Sequence, residues 1–432
     1  MLRLLVLAFV LGATSARADL FKYVQKPDDS FAWKLVKQTD TRDGKLWQIE
    51  LTSQTWQKIA WTHDLVVVLP KGAKPTSTML LFNTGGRANA ANMLLQMQLA
   101  KRINAPVAFL FGIPKQPLFE GKREDALIAE TFVRYLDTKD ADWPLLFPMV
   151  KSLVKAMDAL QAFAKQEWKH DVTGFVVSGA SKRGWTSWLT GAADKRVKAI
   201  MPLVIDTLNF QKQMPYQLKS YGAYSAQIKD YTEHKLVPLP GSAEARRLWA
   251  WVDPWVYRDR LTMPKLILNG TNDPYWTQDA LNLYWDDLKG PKWISYVPNA
   301  GHGLEELMPD GTKNRDRAVA VMAAFAGMII HNRKPPEITW TIKDNTIKVV
   351  AKPTPNALRL WEASAATRDF RKSTWTSVRL KPDEKDTLVI ERPKSGSKAF
   401  FAEVEYLDGE TPYTLSTQIQ ILDAPKVEKG GK

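Results

Sequence analysis

The feature that most constrains the fold of this chain is a series of short, continuously apolar segments. Each is closed by Gly, Pro or Asp, and stretches of helical periodicity separate them. "STMLLFN" (77–83) ends at Thr84-Gly85-Gly86 and leads into a helical pattern over 88–102. "APVAFLFGI" (105–113) ends at Pro114 and precedes helical patterns over 123–138 and 148–168. The series continues with "TGFVVSGAS" (173–181) and its helix, then "VKAIMPLVID" (197–206). "PKLILNG" (264–270) follows with a helix expected over 276–288, and "WISYVPNAGH" (293–302) with one over 313–331. A strand with one wet face alternates apolar and polar residues; runs apolar throughout belong to a parallel sheet covered on both faces. In such sheets functional residues collect at the carboxyl ends of the strands.

Two regions break the alternation. Residues 207–262 are polar and rich in Trp and Tyr ("LWAWVDPWVYRD"), which suits an insertion roofing the strand ends. After Lys334-Pro335-Pro336 come short alternating segments such as "ITWTI", "TIKVVA", "ALRLWEA", "TLVIE", "KAFFAEVEY" and "STQIQIL", the pattern of a small β-sandwich. At 432 residues the chain exceeds one ordinary core. The expected layout is a leader at 1–18, a mostly parallel α/β domain at 19–334 with a cap insertion at 207–262, a C-terminal β-sandwich at 335–424, and a flexible tail at 425–432.

The leader assignment rests on Arg3, the apolar run Leu4 to Leu11, and Ala16-Arg17-Ala18 as a cleavage signal before Asp19. No other segment offers about 18 consecutive apolar residues, so we expect an exported protein of the bacterial periplasm or beyond, without a transmembrane anchor. Cysteine is absent, which excludes disulfides, thiol nucleophiles and thiolate metal sites. Net charge is +14; Arg3 and Arg17 account for two, leaving +12. Such an excess attracts polyanions, here an anionic envelope surface or acidic glycans rather than nucleic acid. The basic residues are scattered, so a solvated surface explains them equally well.

The chemistry centres on "GFVVSGASKRGWTSWLTG" (174–191), where a strand meets a helix at Ser181. Gly179, Ala180 and Gly184 keep the corner uncrowded, as a nucleophile elbow requires. The spacing here is G-x-S-x-x-G, one residue longer than the usual G-x-S-x-G. A plain βα turn would read similarly. A serine needs a base, and the base needs an orienting acid. Of five histidines, His63, His170, His234 and His331 read as surface residues, whereas His302 stands between two glycines after the last sheet strand. One strand earlier, "LNGTNDPYW" places Asp273 after the strand at 264–270. The order Ser181, Asp273, His302 is that of the α/β-hydrolases. Asp206 also ends a strand and is an alternative acid or a substrate ligand. For the oxyanion, the Lys182 N–H is one donor, and the "NTGGRAN" loop offers another through Gly86 or Arg87. Arg183 is a candidate substrate clamp or a partner for a carboxylate. Trp185, Trp188, Trp276 and the tryptophans at 249–255 lie near the expected mouth, where flat walls suit sugar, acyl or aromatic groups; Trp340, Trp361 and Trp375 read as core. No H-E-x-x-H, P-loop or post-strand G-x-G-x-x-G occurs, so no metal or cofactor is expected.

Several segments together are familiar: "REDALIAETFVRYL", "WPLLFPMVKSLVKAMDALQAF", "VSGASKRGWTSWLTG", "WVYRDRLTMPKLILNGTNDPYW", "VPNAGHGL" and "RLWEASAATRDFRKSTW". In this order they resemble the PhoPQ-activated pathogenicity-related proteins, which include autocrine proliferation repressor-like proteins. The likeness runs from about 20 to 422. It implies an α/β-hydrolase followed by an immunoglobulin-like β-sandwich, with the family's serine, acid and histidine on Ser181, Asp273 and His302. The serine corner also resembles that of glucuronoyl esterases, in which the basic residue after the serine, here Lys182, helps line the oxyanion site. The resulting expectation is a serine hydrolase acting on a small-molecule, glycan-ester or peptide substrate. Two alternatives stand beside it: a signalling or binding protein on a hydrolase scaffold, and an exopeptidase. The latter would use an acid such as Glu130, Asp206 or Glu305 to grip an amino terminus.

Overall fold

A computed structural model describes residues 18–380 and 387–425. Apart from Ala18 and Pro425 at their edges, the expected leader and tail lie outside these residues. The first strands, β1 (Ala32–Thr41), β2 (Gly44–Trp56) and β3 (Ile59–Pro70), form an antiparallel meander. Then come β4 (Thr78–Asn83), β5 (Val107–Leu110), β6 (Gly174–Ala180), β7 (Val197–Leu203), β8 (Lys265–Gly270) and β9 (Lys292–Val297). These run parallel to one another, and the sheet order is β1-β2-β3-β5-β4-β6-β7-β8-β9. β1 was not legible in the sequence because it is an edge strand with little buried surface.

The helices are α1 (Ala18–Gln25), α2 (Ala90–Ile103), α3 (Glu124–Thr138), α4 (Leu146–Phe163), α5 (Lys182–Ala193), α6 (Phe210–Tyr221), α7 (Lys229–Glu233), α8 (Ala243–Val252) and α9 (Asp316–Ile330). Successive strand residues point to opposite faces, and both faces are dry. Met79, Leu81, Phe175, Val177 and Ile267 pack with α1, α4, α5 and α8. Leu80, Val176, Met201, Leu266 and Leu268 pack with α2 and α9. This is why the strands read as unbroken apolar runs.

Residues 207–262 interrupt the alternation as expected, and supply α6, α7 and α8. The helix expected over 276–288 does not form. In its place are two 3₁₀ turns, at Ala280–Leu283 and Trp285–Asp287. The reason is tertiary. Tyr284 turns inward to hydrogen-bond Asp206, while the next residue, Trp285, packs against Trp340 5.6 Å away. Within that stretch, long-range contacts replace the periodic face that the sequence suggested.

The C-terminal region contains strands at 337–343, 346–352 and 387–389, and others at 357–365, 376–380, 397–408, 411–416 and 420–423. The second group continues the main sheet, because Ser416 pairs with Ile294 of β9. Ile347 and Leu388 of the three-stranded sheet share an apolar cluster with Phe400, Ala402, Val404 and α9. The C-terminal region therefore shares its core with the α/β region.

Candidate active site

β6 delivers Ser181 to the carboxyl edge of the sheet. Ser181 adopts φ +57°, ψ −125°, between the end of β6 and the first residue of α5. A non-glycine residue there costs on the order of 1–3 kcal/mol and persists only when its surroundings enforce it. Here they do. The Ser181 N–H bonds the Leu203 carbonyl of β7 (2.8 Å), and its carbonyl accepts from the Trp185 N–H (3.0 Å). The Asn83 amide, at the end of β4, donates to Ser178 O (2.7 Å), Ser187 Oγ (3.0 Å) and Arg183 O (3.2 Å). A Cβ at Gly179 would lie 2.4 Å from Asn83 Nδ2, and one at Gly184 2.6 Å from Ile205 Cγ2. The small residues of the corner are thus required by close approach.

Ser181 opens onto a narrow cavity of about 30 Å³ that His302 also lines. His302 Nδ1 is 2.8 Å from Asp273 Oδ2. The other Asp273 oxygen accepts the Tyr275 N–H at 2.9 Å, and the Tyr275 ring stacks on the imidazole with centroids 4.2 Å apart. Asp273 is 6% exposed. The acid and histidine loops are interlocked: a Cβ at Gly270 would meet the carbonyls of Ala300 and Gly301 at 2.3 and 2.5 Å. The other walls are apolar, from Trp185, Ile205, Phe210, Met214, Trp249 and Trp276. The insertion at 207–262 supplies part of this roof. Trp188 is fully buried away from the cavity, and Trp375 is buried in the C-terminal region.

The other candidates are placed as follows. The Lys182 N–H heads α5, where a helix offers no internal acceptor. The Lys182 ammonium is held by Asp125 (2.8 Å), which also lines the cavity and accepts from the Tyr231 hydroxyl (3.0 Å). Gly86, at φ +67°, lines a separate cleft with His63, Arg87 and Lys115 rather than the Ser181 cavity, and Gly85 abuts the Arg183 guanidinium. Arg183 is no clamp across the pocket. Its guanidinium instead donates to Ile113 O (2.5 Å) and forms a two-pronged pair with Glu124 (2.7 and 2.7 Å), outside the Ser181 cavity. Burial alone would raise the Glu124 carboxyl, but Arg183, Gln116 and Lys182 together hold it down at about 2.

Asp206 does not bond the histidine. It lies in a small cavity behind Asp273, where Asn269 (2.9 Å) and Tyr284 donate to it. Burial, reinforced by the charge of Asp273, pushes its carboxyl up to about 7 despite those two donors. Val204, at φ +48°, turns the chain so that Ile205 reaches the Ser181 cavity and Asp206 the one behind it.

His63 is not a surface residue. It is 3% exposed between Ser53 Oγ (3.0 Å) and Phe111 O (3.1 Å), and burial lowers its imidazole to about 4. Glu130 pairs with Arg134, and Glu305 with Arg315; neither lines the cavity. Asp125, Tyr231 and Tyr275 were not singled out from sequence. The one available signal was the acidic pair Glu124-Asp125 to match the cationic pair Lys182-Arg183. Among the described residues, no three His, Asp or Glu side chains converge to hold a metal ion, and no helix is long and apolar enough to cross a membrane.

The architecture and sequence have known counterparts. The fold is similar to that of acetyl xylan esterase 1 from Thermoanaerobacterium sp., with TM-score 0.52 and 14% identity, over 73% of this chain and 94% of that one. It is thus an α/β-hydrolase-type fold. The autocrine proliferation repressor protein A of Dictyostelium discoideum is 31% identical over 473 aligned positions, covering 98% of this chain and 94% of that protein. Residues 20–371 match the family described as PhoPQ-activated pathogenicity-related protein. The chain belongs to that family.

Proposed function

We propose that this protein is an exported serine hydrolase that cleaves carboxylic esters through an acyl-enzyme. One observation carries the reading: a strained serine and an imidazole bound to a buried carboxylate line the same apolar cavity. In this mechanism Ser181 Oγ attacks the acyl carbonyl while His302 Nε2 takes its proton. Asp273 fixes the Nδ1–H tautomer and stabilises the imidazolium. The Lys182 N–H at the head of α5 receives the developing oxyanion. His302 then protonates the leaving alcohol, and water activated by the same imidazole releases the acid.

The walls of Trp185, Phe210, Met214 and Trp276 favour a small acyl group, because the cavity they enclose is narrow and apolar. This favours an ester over the exopeptidase alternative, which needs an acid free to grip an amino terminus. The cavity's Asp125 is already held by Lys182. A second reading, a secreted signalling or binding protein on a hydrolase scaffold, draws on the name of the Dictyostelium relative. We read 335–424 as an immunoglobulin-like sandwich supporting the hydrolase, and the leader as the export signal.

The test is labelling of the purified mature protein with a fluorophosphonate, beside Ser181→Ala and His302→Ala, followed by esters of graded acyl length. Wild type should label, both variants should not, and short acyl chains should turn over fastest. A folded wild type that neither labels nor hydrolyses any ester would hand the lead to the binding-protein reading.

A further inference from the structure

The acid and histidine loops stand on a segment about a hundred residues away. The Thr271 hydroxyl first ties them together, donating to Asn272 Oδ1 (2.8 Å) and accepting the Asn299 N–H (2.8 Å). Asn272 is the residue before Asp273, and its Nδ2 turns to the C-terminal region. It donates to Ser373 O at 2.7 Å and lies 3.3 Å from the carbonyls of Phe370 and Arg371. Asn299 lies three residues before His302 and pairs with both main-chain groups of Trp375. Its Oδ1 accepts the Trp375 N–H (2.7 Å), and its Nδ2 donates to the Trp375 carbonyl (2.9 Å).

The segment that receives these bonds is anchored. Phe370 and Trp375 are buried at 0% and 2% exposure. The same segment reaches the cap. Arg371 lies over the Tyr221 ring at 3.9 Å, and Arg368 donates to the Tyr216 hydroxyl at 2.9 Å. Both tyrosines belong to α6, and the Tyr221 hydroxyl returns to Trp276 O at 2.6 Å.

We infer that residues 368–375 are a positioning segment for the Asp273–His302 pair, so that the C-terminal region sets the reactivity of Ser181. This rests on the proposed hydrolase reading. Two asparagine amides, one in each loop, grip main-chain groups of residues 370, 371, 373 and 375, in a segment anchored by the buried side chains of Phe370 and Trp375. Displacing a catalytic group by 1 Å can cost about a hundredfold in rate. These bonds fix where Asp273 and His302 stand relative to α5, which none of them touches.

The experiment uses the full chain. Asn272→Asp is isosteric and turns a donor into a carboxylate facing three carbonyl oxygens. Asn299→Leu removes both bonds to Trp375, and Asn299→Asp keeps the one accepted from its N–H, as the milder variant. Fluorophosphonate labelling rate and kcat per folded molecule should fall by about 10- to 100-fold in the first two and less in the third, with KM within about twofold. Hydrogen exchange followed by mass spectrometry should speed up by about tenfold or more over 270–275 and 297–303, and stay unchanged over 174–191. Lowered Tm with unchanged kcat and labelling, or unchanged exchange in the two loops, overturns the inference. A wild type inert to the probe would instead count against the hydrolase reading, and the exchange measurement would still decide whether the segment holds the loops.

Discussion

The two halves of the candidate site are held in different ways. The serine corner is braced mainly by its own strand and helix and by the ends of neighbouring sheet strands: Asn83 of β4, Leu203 of β7, and the glycines that let them approach. The acid and histidine loops, by contrast, lean on a segment from beyond the α/β region. Their ionic surroundings differ as well. The serine side carries paired charges, Arg183 with Glu124 and Lys182 with Asp125. Behind the acid lies Asp206, an uncompensated buried carboxyl. One half is strained and braced from within the α/β region; the other is hydrogen-bonded to a segment beyond it.

Substitutions sharpen this contrast at decreasing scale. Ser181→Ala should cost about 10⁶-fold in kcat toward any ester the wild type cleaves, with Tm near that of the wild type because alanine keeps the Cβ and with it the strain at φ +57°. Progress curves with purified enzyme decide it; retention of more than a hundredth of the rate would remove Ser181 as nucleophile. Gly179→Ala should destabilise by about 1–3 kcal/mol in urea unfolding, since its methyl group meets Asn83 Nδ2 and the Arg183 carbonyl. A loss below about 0.5 kcal/mol would show the corner to be looser than the contacts imply. Tyr275→Leu, which removes the ring stacked on His302, should lower kcat by about tenfold, whereas Tyr275→Phe keeps the stack and should be near wild type.

A further contrast lies in pH dependence, with opposite signs in the two halves. Glu124 is held at about 2 against roughly 4.3 in an unfolded chain. Its contribution is present above the unfolded value and is lost as pH falls from about 4.3 toward 2. Asp206 is raised to about 7 against roughly 3.9, so its contribution is complete below 3.9 and is lost as pH rises through about 7. Tm measured from pH 2 to 8 should show a flatter acid limb in Glu124→Gln and a flatter rise-to-neutral limb in Asp206→Asn. Parallel curves for wild type and both variants would mean that neither carboxyl is perturbed.

Much of this was legible in the residues because it is local. Unbroken apolar runs report two dry faces, and six such runs became β4 to β9. Gly179 and Gly184 announced a crowded corner, and the order Ser181, Asp273, His302 put three groups at strand ends that the fold brings together around one cavity edge. Where expectation and structure part, long-range partners decide. Arg183 turned to Glu124 and Ile113 O, which lie some 60 and 70 residues earlier. His63 went inside because Ser53 and Phe111 supply both ring nitrogens with partners. Residues 276–288 lost their helix because Tyr284 and Trp285 answer to different neighbours.

By itself, then, the sequence determined the parallel strands β4 to β9, most of the helices that cover them, and the candidate side chains at their carboxyl edge. Periodicity and small residues act within a few positions of themselves, so they can be read without a structure. The tertiary structure alone decided that Asp273 rather than Asp206 meets His302, that Arg183 pairs with Glu124 outside the cavity, and that Asn272 and Asn299 hydrogen-bond the main chain of residues 370–375. Each of these is a competition between partners far apart in the chain, settled by which side chains the packed core leaves within hydrogen-bonding distance.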